Sequence, residues 1–401
     1  IPAGVRAAIL DRIGSVGRRG QTLLEAAAVL GPAFPVADLL DLTDPADLDG
    51  ALDAVGASGL LREADDVYSF DHALTQQTLY AEMSATRRRD LHLAAAAGLE
   101  PFRAAEIGWH LVRGGDPRRA LPHLSRAGER AQALCANEEA QRHYREALEI
   151  AERVGDAEAT ATALERLGDT LVTVADYGEG VALLERAAGA REDTVGLALI
   201  EARIGEAHFR RGTSTQGAQR MRDRLAVLDR PDLDPDERNA VASLYGALAR
   251  LCFARLEYER CCDAARRVAE LATDEALLAS AAMIDGTALI WLDEPDRGLA
   301  TLERSVAAAE RSGALGTLST ALLSLHRLVL LRGEFDRGSR AAARGAVAAE
   351  RLGDPQLMAM HSTNLGLQHF YSGDWSAAEE RLGPGADPLR EARLSIFAFT
   401  P

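Results

Sequence analysis

Residues 68–83, YSFDHALTQQTLYAEM, place a histidine at the start of an amphipathic helix. A β-branched and aromatic approach ends at Phe70, Asp71 is a residue type that caps helices, and His72 falls in the first turn. The first turn of a helix offers unpaired N–H groups and a partial positive charge, which favour a phosphate or a carboxylate. The pattern therefore predicts an anion contact at His72. The alternative is a histidine that only packs and hydrogen-bonds at a turn.

The other reactive side chains lack the partners that catalysis or metal binding requires. The four cysteines are Cys135, Cys252, Cys261 and Cys262. None belongs to a CxxC pair or stands beside metal-spaced histidines, which argues against zinc and disulfides and favours a reducing compartment. Cys261 and Cys262 are adjacent on a predicted helix, and we interpret these two as small buried thiols. His361 and His369 share a helix face but have no carboxylate or cysteine close by in sequence, so we interpret them as packing residues. We expect no metal site and no catalytic residue.

The charge composition excludes two classes of function. The 45 cationic side chains are all arginine, against 61 acidic ones, and the net charge is -16. A chain without lysine has no GK[ST] phosphate-binding loop and no Schiff-base lysine, so we predict that it is not an enzyme. A strongly acidic surface repels the DNA backbone, so we also predict no nucleic-acid partner.

Membrane and export signals are absent from the sequence. No apolar run approaches the roughly 20 residues of a membrane span, and no signal peptide opens the chain. These features predict a cytoplasmic protein without a membrane partner. The chain starts at Ile1 without a methionine and ends in SIFAFTP, so we expect both ends to continue in a longer protein.

Residues 1–98 predict a small winged-helix domain. Four short helical patterns precede Leu60–Phe70, which has the pattern of a β-hairpin with a polar turn at residues 64–66, and two further helices follow. The helix that would enter a DNA groove, residues 46–58, contains three aspartates and no arginine, so we reject DNA binding. The basic run at residues 87–89 is interpreted as a solvated helix face, with an acidic partner as the alternative.

Residues 99–401 predict an all-helical repeat domain. A small residue recurs in the first helix of each repeat and again twelve positions later. The first series is Gly128, Gly168, Gly205, Ala249, Gly286, His326 and Gly366, and the second is Ala140, Gly180, Gly217, Cys261, Gly298, Gly338 and Ala378. Subtraction within the first series gives intervals of 40, 37, 44, 37, 40 and 40 residues. This period is typical of stacked helical hairpins, whose helices cross closely where side chains are small.

Further positions refine the repeat pattern. A residue that packs under the turn occupies one shared position: Tyr177, Tyr258, Pro295, Phe335 and Trp375. We expect irregular structure near Thr213 and His326, which fit the pattern least well. Asp234-Pro235 predicts a helix start after the longest loop between helices.

This pattern resembles tetratricopeptide repeats over residues 102–382. Residues 127–156, AGERAQALCANEEAQRHYREALEIAERVGD, carry the likeness most clearly through Gly128, Ala140, Tyr144, Ala147 and Leu148. The resemblance implies an all-α fold in which about seven helical hairpins form a right-handed superhelix. It would follow the winged-helix domain with its one β-hairpin.

The N-terminal part resembles the winged-helix segment of signal-transduction ATPases with numerous domains. These include the large ATP-binding LuxR-type transcription regulators and AAA ATPase regions linked to adenylate or guanylate cyclases. The residues that match are Phe70, His72, Ala73, Leu74, Leu79 and Tyr80. The resemblance implies that His72 contacts the β-phosphate of ADP on a nucleotide domain, although the order here is Phe-Asp-His-Ala-Leu instead of Met-His-Asp. This chain contains no cofactor site of its own, so ATP or ADP would belong to the parent protein.

The resemblance to tetratricopeptide repeats also suggests where a ligand would bind. Extrapolating the repeat frame to the concave side predicts a groove for a peptide, a protein or a small-molecule inducer. Its predicted lining is Phe209, Arg250, Phe253, Ile290, Arg327, Leu330 and Phe370. The position after each small residue is acidic in the early repeats and basic later. The alternative is that longer helices bury the apolar members of this set in the repeat core.

Two classes of function follow. The first is a non-catalytic sensor and protein-interaction region of a bacterial signal-transduction ATPase, in which the winged helix docks on a nucleotide domain. The resemblance implies a transcriptional regulator, with the regulatory part of an adenylate or guanylate cyclase as the alternative. The second is a free-standing tetratricopeptide scaffold for protein assembly. The gene upstream of Ile1 distinguishes them, since the first requires a GxxxxGK[ST] sequence there.

Overall fold

The structure is a computed structural model that describes residues 3–43 and 45–382. The side chains of residues 45–49 are not described, so two of the three aspartates in the predicted helix at residues 46–58 lie outside the description. The end of the predicted repeat domain, residues 383–401, also lies outside it. The chain divides into two compact units, Ile1–Ala175 and Asp176–Pro401. Each unit is described by itself.

The first unit begins with a mixed module, residues 3–98, here called the N-terminal module. Its elements are α1 (Ala3–Ser15), α2 (Gly17–Leu30), β1 (Ala33–Pro35), α3 (Val36–Leu40), α4 (Pro45–Ala57), β2 (Leu61–Ala64), β3 (Val67–Phe70), α5 (Ala73–Glu82) and α6 (Ala85–Gly98). The strands form an antiparallel sheet in the order β1-β3-β2. The predicted hairpin is confirmed as β2 and β3, joined by Asp65 and Asp66, which both have positive φ as a tight hairpin turn requires.

Strand β1 is an element that the sequence pattern did not predict. It has three residues, and its one buried side chain is Phe34, which contacts the rings of Tyr68 and Phe70. Pro35 ends it, and proline is tolerated there because β1 is an edge strand that donates few hydrogen bonds. The strand completes a core with α2, whose Leu24 and Val29 are fully buried.

Four further helices complete the first unit: α7 (Ala104–Arg113), α8 (Pro117–Ala133), α9 (Asn137–Val154) and α10 (Ala157–Thr173). The small residue Gly128 lets α8 approach the fully buried Tyr144 of α9, because a Cβ at Gly128 would lie 2.4 Å from Tyr144 Cε1. The Tyr144 hydroxyl donates to Gln132 Oε1 at 2.8 Å, and Gln132 Nε2 donates to Thr170 Oγ1 at 2.7 Å. The predicted role of the small residue is confirmed here.

The second unit consists of helices only within its described part. They are α11 (Tyr177–Gly189), α12 (Thr194–Arg211), α13 (Ser214–Leu228), α14 (Pro235–Ala254), α15 (Tyr258–Leu271), α16 (Glu275–Trp291), α17 (Pro295–Ser312), α18 (Leu315–Leu331), α19 (Phe335–Leu352), α20 (Pro355–Ser372) and α21 (Trp375–Leu382). Helices α16 and α17 cross closely, because a Cβ at Gly298 would lie 2.8 Å from the Gly286 carbonyl oxygen. Only glycine permits this backbone separation.

The seven predicted helix–turn–helix segments correspond to consecutive helices from α8 to α21. Six of these helix pairs pack together within one unit, which confirms the helical-hairpin fold, whereas α10 and α11 belong to different units. In every segment, the residue seven positions after the first small residue has positive φ: Cys135, Ala175, Gly212, Leu256, Asp293, Gly333 and Gly373. Only three of these residues are glycine. The left-handed turn is therefore a property of the repeat, which overrides the preference of the individual residue.

Two local expectations have different outcomes. Asp234 caps α14 in a full capping box with Glu237, Pro235 is the first helical residue, and residues 229–234 form the longest connection between helices from α5 to α21, as predicted. The irregularity expected near His326 is wrong, since α18 runs through it without interruption. The imidazole fits because Gly338 faces it, and a Cβ there would lie 3.2 Å from His326 Cδ2. The predicted domain boundary at residues 98 and 99 falls in the loop between α6 and α7 and stays a prediction.

Candidate functional site

His72 is the N-cap residue of α5, one position outside the helix, and its side chain is exposed. The prediction that Asp71 caps this helix is wrong. Asp71 Oδ1 accepts the Thr75 hydroxyl at 3.2 Å, and its Oδ2 lies 3.3 Å from Arg12 Nη1. No side chain caps α5, and the Thr75 N–H donates to the His72 carbonyl oxygen at 2.9 Å, so the backbone N–H groups of Ala73 and Leu74 are those left beside the imidazole.

This helix start has the chemistry of a phosphate contact on a neighbouring surface. Leu74, in the first turn, is 38% exposed, so the face beside His72 combines an apolar side chain with N–H donors. The guanidinium of Arg12 lies nearby through its ion pair with Asp71. An exposed imidazole and uncapped amides fit a phosphate oxygen. They do not by themselves enclose a nucleotide.

The predicted groove residues divide into two groups. Five are half-buried: Phe209, Arg250, Phe253, Ile290 and Leu330. Phe209 and Phe253 pack against the core of α12–α16, and Ile290 packs against that of α17–α19. Arg327 and Phe370 are exposed. The assignment of these residues to a ligand groove stays a prediction.

The charges predicted for the groove are paired within the protein. Arg250 Nε on α14 lies 3.1 Å from Glu206 Oε2 on α12, and Glu206 also accepts from Arg210 at 2.8 Å. In the first unit, Arg166 on α10 lies 3.1 Å from Glu129 on α8. Opposite charges on successive first helices therefore face each other, and this arrangement connects neighbouring repeats.

Exposed apolar side chains also stand one residue after the predicted positions. We define the apolar strip as Trp291, Leu331 and Tyr371, which are 48%, 80% and 60% exposed and occupy the same position in three successive repeats. The predicted residues lie four positions after the small residue, hence on its own helix face, which is turned to the hairpin partner. One more residue rotates the side chain by about 100° towards solvent. Trp291 stacks on Tyr258 with ring centroids 6.0 Å apart.

Cysteines and histidines mostly have the structural roles predicted. Cys261 and Cys262 are buried, and burial raises the pKa of Cys262 to about 12, with a further contribution from its hydrogen bond to Asp285. His361 is buried, its Nε2 lies 2.9 Å from Ser319 Oγ, and desolvation lowers its pKa to about 4. The absence of a carboxylate near His369 is corrected, because Asp374 Oδ2 lies 3.4 Å from its Nδ1.

The basic run of α6 contacts its own module instead of forming only a solvated face. Arg87 Nε donates to Glu25 Oε2 of α2 at 3.0 Å, and Arg88 Nη1 donates to the Tyr80 carbonyl oxygen of α5 at 3.0 Å. These two arginines are half-buried. Their charge therefore holds α6 against two neighbouring helices.

Comparisons with known proteins identify the architecture. No protein-family profile and no curated protein sequence matches this chain. The structure of a Signal Transduction ATPase with Numerous Domains (STAND) with a tetratricopeptide repeat sensor, from Pyrococcus horikoshii, matches with a TM-score of 0.54 and 11% identity over 94% of this chain. The chain has a tetratricopeptide-like fold. The apo quorum sensor NprR from B. thuringiensis matches with a TM-score of 0.53 and 9% identity, over 77% of this chain and 92% of that protein.

These likenesses concern the fold alone, because both identities are low. The chain spans 57% of the length of the STAND protein that it matches. Within residues 3–43 and 45–382, no helix is both long and apolar enough to cross a bilayer. The same residues include no cluster of three or more histidine, cysteine or acidic side chains placed to hold a metal ion.

Proposed function

We propose that this chain is the non-catalytic sensor region of a cytoplasmic signal-transduction ATPase. In this proposal the N-terminal module is a winged helix that docks on a nucleotide domain of the parent protein. The repeats bind an inducer or partner, and occupancy biases a two-state switch. A transcriptional regulator is the output that we favour, and an adenylate or guanylate cyclase is the alternative.

The exposed imidazole of His72 carries this proposal. It stands at an uncapped helix start on the module surface, where a phosphate held by a neighbouring domain can accept hydrogen bonds from it and from the α5 amides. The order of elements supports the winged-helix part, since α2, β1, α3, α4 and the β2–β3 hairpin follow the helix-strand-helix-helix-hairpin order of that fold. The similarity in fold to a STAND protein, over 94% of this chain, agrees with the same arrangement.

The nucleotide contact is tested on the full-length parent protein. We expect His72→Ala to release a fluorescent ADP analogue about tenfold faster, because a hydrogen bond to a charged phosphate contributes about 1.5–3 kcal/mol. His369→Ala, which removes a partly exposed histidine in the second unit, serves as the matched control and should change the rate less than about twofold. Equal release rates for the two variants would contradict a nucleotide role for His72. A start codon near Ile1, with no GxxxxGK[ST] sequence upstream, would favour the scaffold function instead.

The ligand side of the proposal rests on the apolar strip. Three large apolar side chains at equivalent positions on α16, α18 and α20 present a repeated contact for an extended peptide with spaced apolar side chains. Contiguous exposed apolar surface is uncommon on a surface that binds nothing, and α16, α18 and α20 are neighbouring helices. We therefore propose a peptide or a protein segment as the ligand class.

Selection from a displayed random-peptide library tests this ligand class on the 401-residue chain. We expect enriched peptides to be rich in apolar residues and to bind Leu331→Ala or Tyr371→Ala at least about tenfold more weakly, the loss typical of a central contact residue. Val347→Ala is the matched control, because Val347 is also apolar and 55% exposed but lies on α19, a second helix. Peptides that lose the same affinity with Val347→Ala would exclude the apolar strip as the binding surface.

A further inference from the structure

Three side chains on successive helices form a buried hydrogen-bond chain in the first unit. The Tyr80 hydroxyl of α5 lies 2.9 Å from His92 Nε2 of α6, and His92 Nδ1 lies 2.9 Å from His110 Nδ1 of α7. His92 is fully buried and His110 is 4% exposed. The edge of Trp109 covers His92, with ring centroids 5.2 Å apart. Neither histidine belongs to a pattern that predicts a function from the sequence.

The contact between His92 Nδ1 and His110 Nδ1 restricts where the protons can lie. A hydrogen bond between these two atoms requires that one nitrogen carries a hydrogen and the other does not. With both rings neutral, two arrangements satisfy the chain. In the first, Tyr80 donates to His92 Nε2 and His92 Nδ1 donates to His110. In the second, His110 Nδ1 donates to His92 and His92 Nε2 donates to the Tyr80 oxygen.

The surroundings favour neutral rings. Desolvation is the main cause that lowers the pKa of both His92 and His110 to about 4. The guanidinium of Arg88 lies over the Tyr80 ring and that of Arg113 over the Trp109 ring, at 5.4 and 4.6 Å from the centroids. The remaining charged groups that act on His110 are Glu106, Arg103 and Asp38.

The hydrogen-bond chain connects helix α5 of the N-terminal module to helix α7. Helix α5 begins next to His72, and Tyr80 lies two turns further along the same helix. Helix α7 packs on α8, the first helix of the repeats. We propose that the Tyr80–His92–His110 chain couples the helix start at His72 to the first repeat, its two proton arrangements being the two states that a ligand at either end would bias. This inference rests on the proposed function only for the identity of the ligands. The coupling itself depends only on residues of this protein.

Histidine nitrogen NMR on the full chain, without nucleotide, tests the coupling. Tyr80→Phe removes one hydroxyl that is in contact with His92. We expect it to change the ¹⁵N signals of the His110 ring, because loss of the hydroxyl alters which of the two Nδ1 atoms carries the proton. Tyr68→Phe is the matched control, since the Tyr68 hydroxyl also makes a side-chain hydrogen bond in the module, to Glu63 at 2.7 Å. Unchanged His110 signals in Tyr80→Phe would overturn the proposal.

Hydrogen exchange measures the same coupling in the opposite direction. His110→Phe should accelerate exchange of the α5 amides by about tenfold, the equivalent of one lost hydrogen bond. His110→Gln, which restores a side chain able to donate and accept, should reduce this change to less than about threefold. Equal exchange in α5 for all three proteins would contradict the coupling. If His110→Phe does not fold, the Tyr80→Phe spectrum decides the question. Neither the NMR result nor the exchange result depends on ADP. Both can therefore be interpreted even if the nucleotide test for His72 fails.

Discussion

Replacing Gly298 by alanine is expected to lower the free energy of unfolding of the second unit by about 3 kcal/mol, the upper end of the usual cost of overpacking. The new Cβ would lie 2.8 Å from the Gly286 carbonyl oxygen and 3.1 Å from Ile290 Cγ1. A rotamer change relieves a clash with a side chain, but a clash with backbone requires α16 and α17 to separate. Separation would also weaken the contact between Leu302 and the helices around it.

Gly246→Ala is the matched control for this prediction. Gly246 lies inside α14, and a Cβ there would meet no atom within 4 Å. Alanine is the better helix former by about 1 kcal/mol, so this variant should be unchanged or more stable. Urea unfolding followed by circular dichroism, together with hydrogen exchange of α16 and α17, separates the two effects, because a repeat array need not unfold in one step. A Gly298→Ala variant as stable as Gly246→Ala would mean that the two backbones are not in contact.

The repeat fold was accessible from the sequence because it rests on sterics that recur. Gly128, Gly286 and Gly298 each stand where a Cβ would come within 3.0 Å of a neighbouring helix. The spacing of these glycines therefore indicates where the helices cross. The turns were less accessible, because Leu256 and Asp293 adopt the left-handed conformation that glycine adopts in other repeats. The helices packed on each side compensate for the strain of those residues.

The candidate site was only partly predictable. The place of His72 before a helix can be predicted from local sequence. The helix cap lies one position after the predicted Asp71, because Arg12, which is distant in sequence, forms an ion pair with the Asp71 carboxylate. The proposed apolar strip lies one residue beyond the predicted groove positions, and the repeat period alone does not specify how far each helix is rotated. His92 and His110 have no local signature at all. They meet because α6 and α7 pack together, which no spacing of 18 residues would indicate.

Acidification is expected to destabilise the protein well before its carboxylates titrate. Burial lowers the pKa of His92, His110 and His361 to about 4 in the folded chain, against about 6.5 when unfolded. Between these values the unfolded chain binds more protons, so the free energy of unfolding falls as the pH falls. From pH 7 to pH 5 the loss is about 2 kcal/mol for each independent histidine. His92 and His110 share a hydrogen bond, so they titrate as a pair.

His361 allows this loss to be measured at one site. Its ring fills a slot opposite Gly345, where an added Cβ would lie 2.0 Å from His361 Cε1, and its Nε2 is bonded to Ser319. The variant His361→Gln keeps a polar side chain at this position but binds no proton. The free energy of opening that hydrogen exchange gives for α20, after correction for the intrinsic exchange rate at each pH, should therefore depend less steeply on pH between 7 and 5 than in the unaltered protein. His369→Gln removes a partly exposed histidine of the same helix and should leave that dependence in place. The same steepness in both variants would mean that the acid sensitivity of this hairpin arises outside His361. The other buried imidazole here is His326, whose Nε2 lies 2.9 Å from Gln368 Oε1 of α20 and whose pKa is also lowered by desolvation.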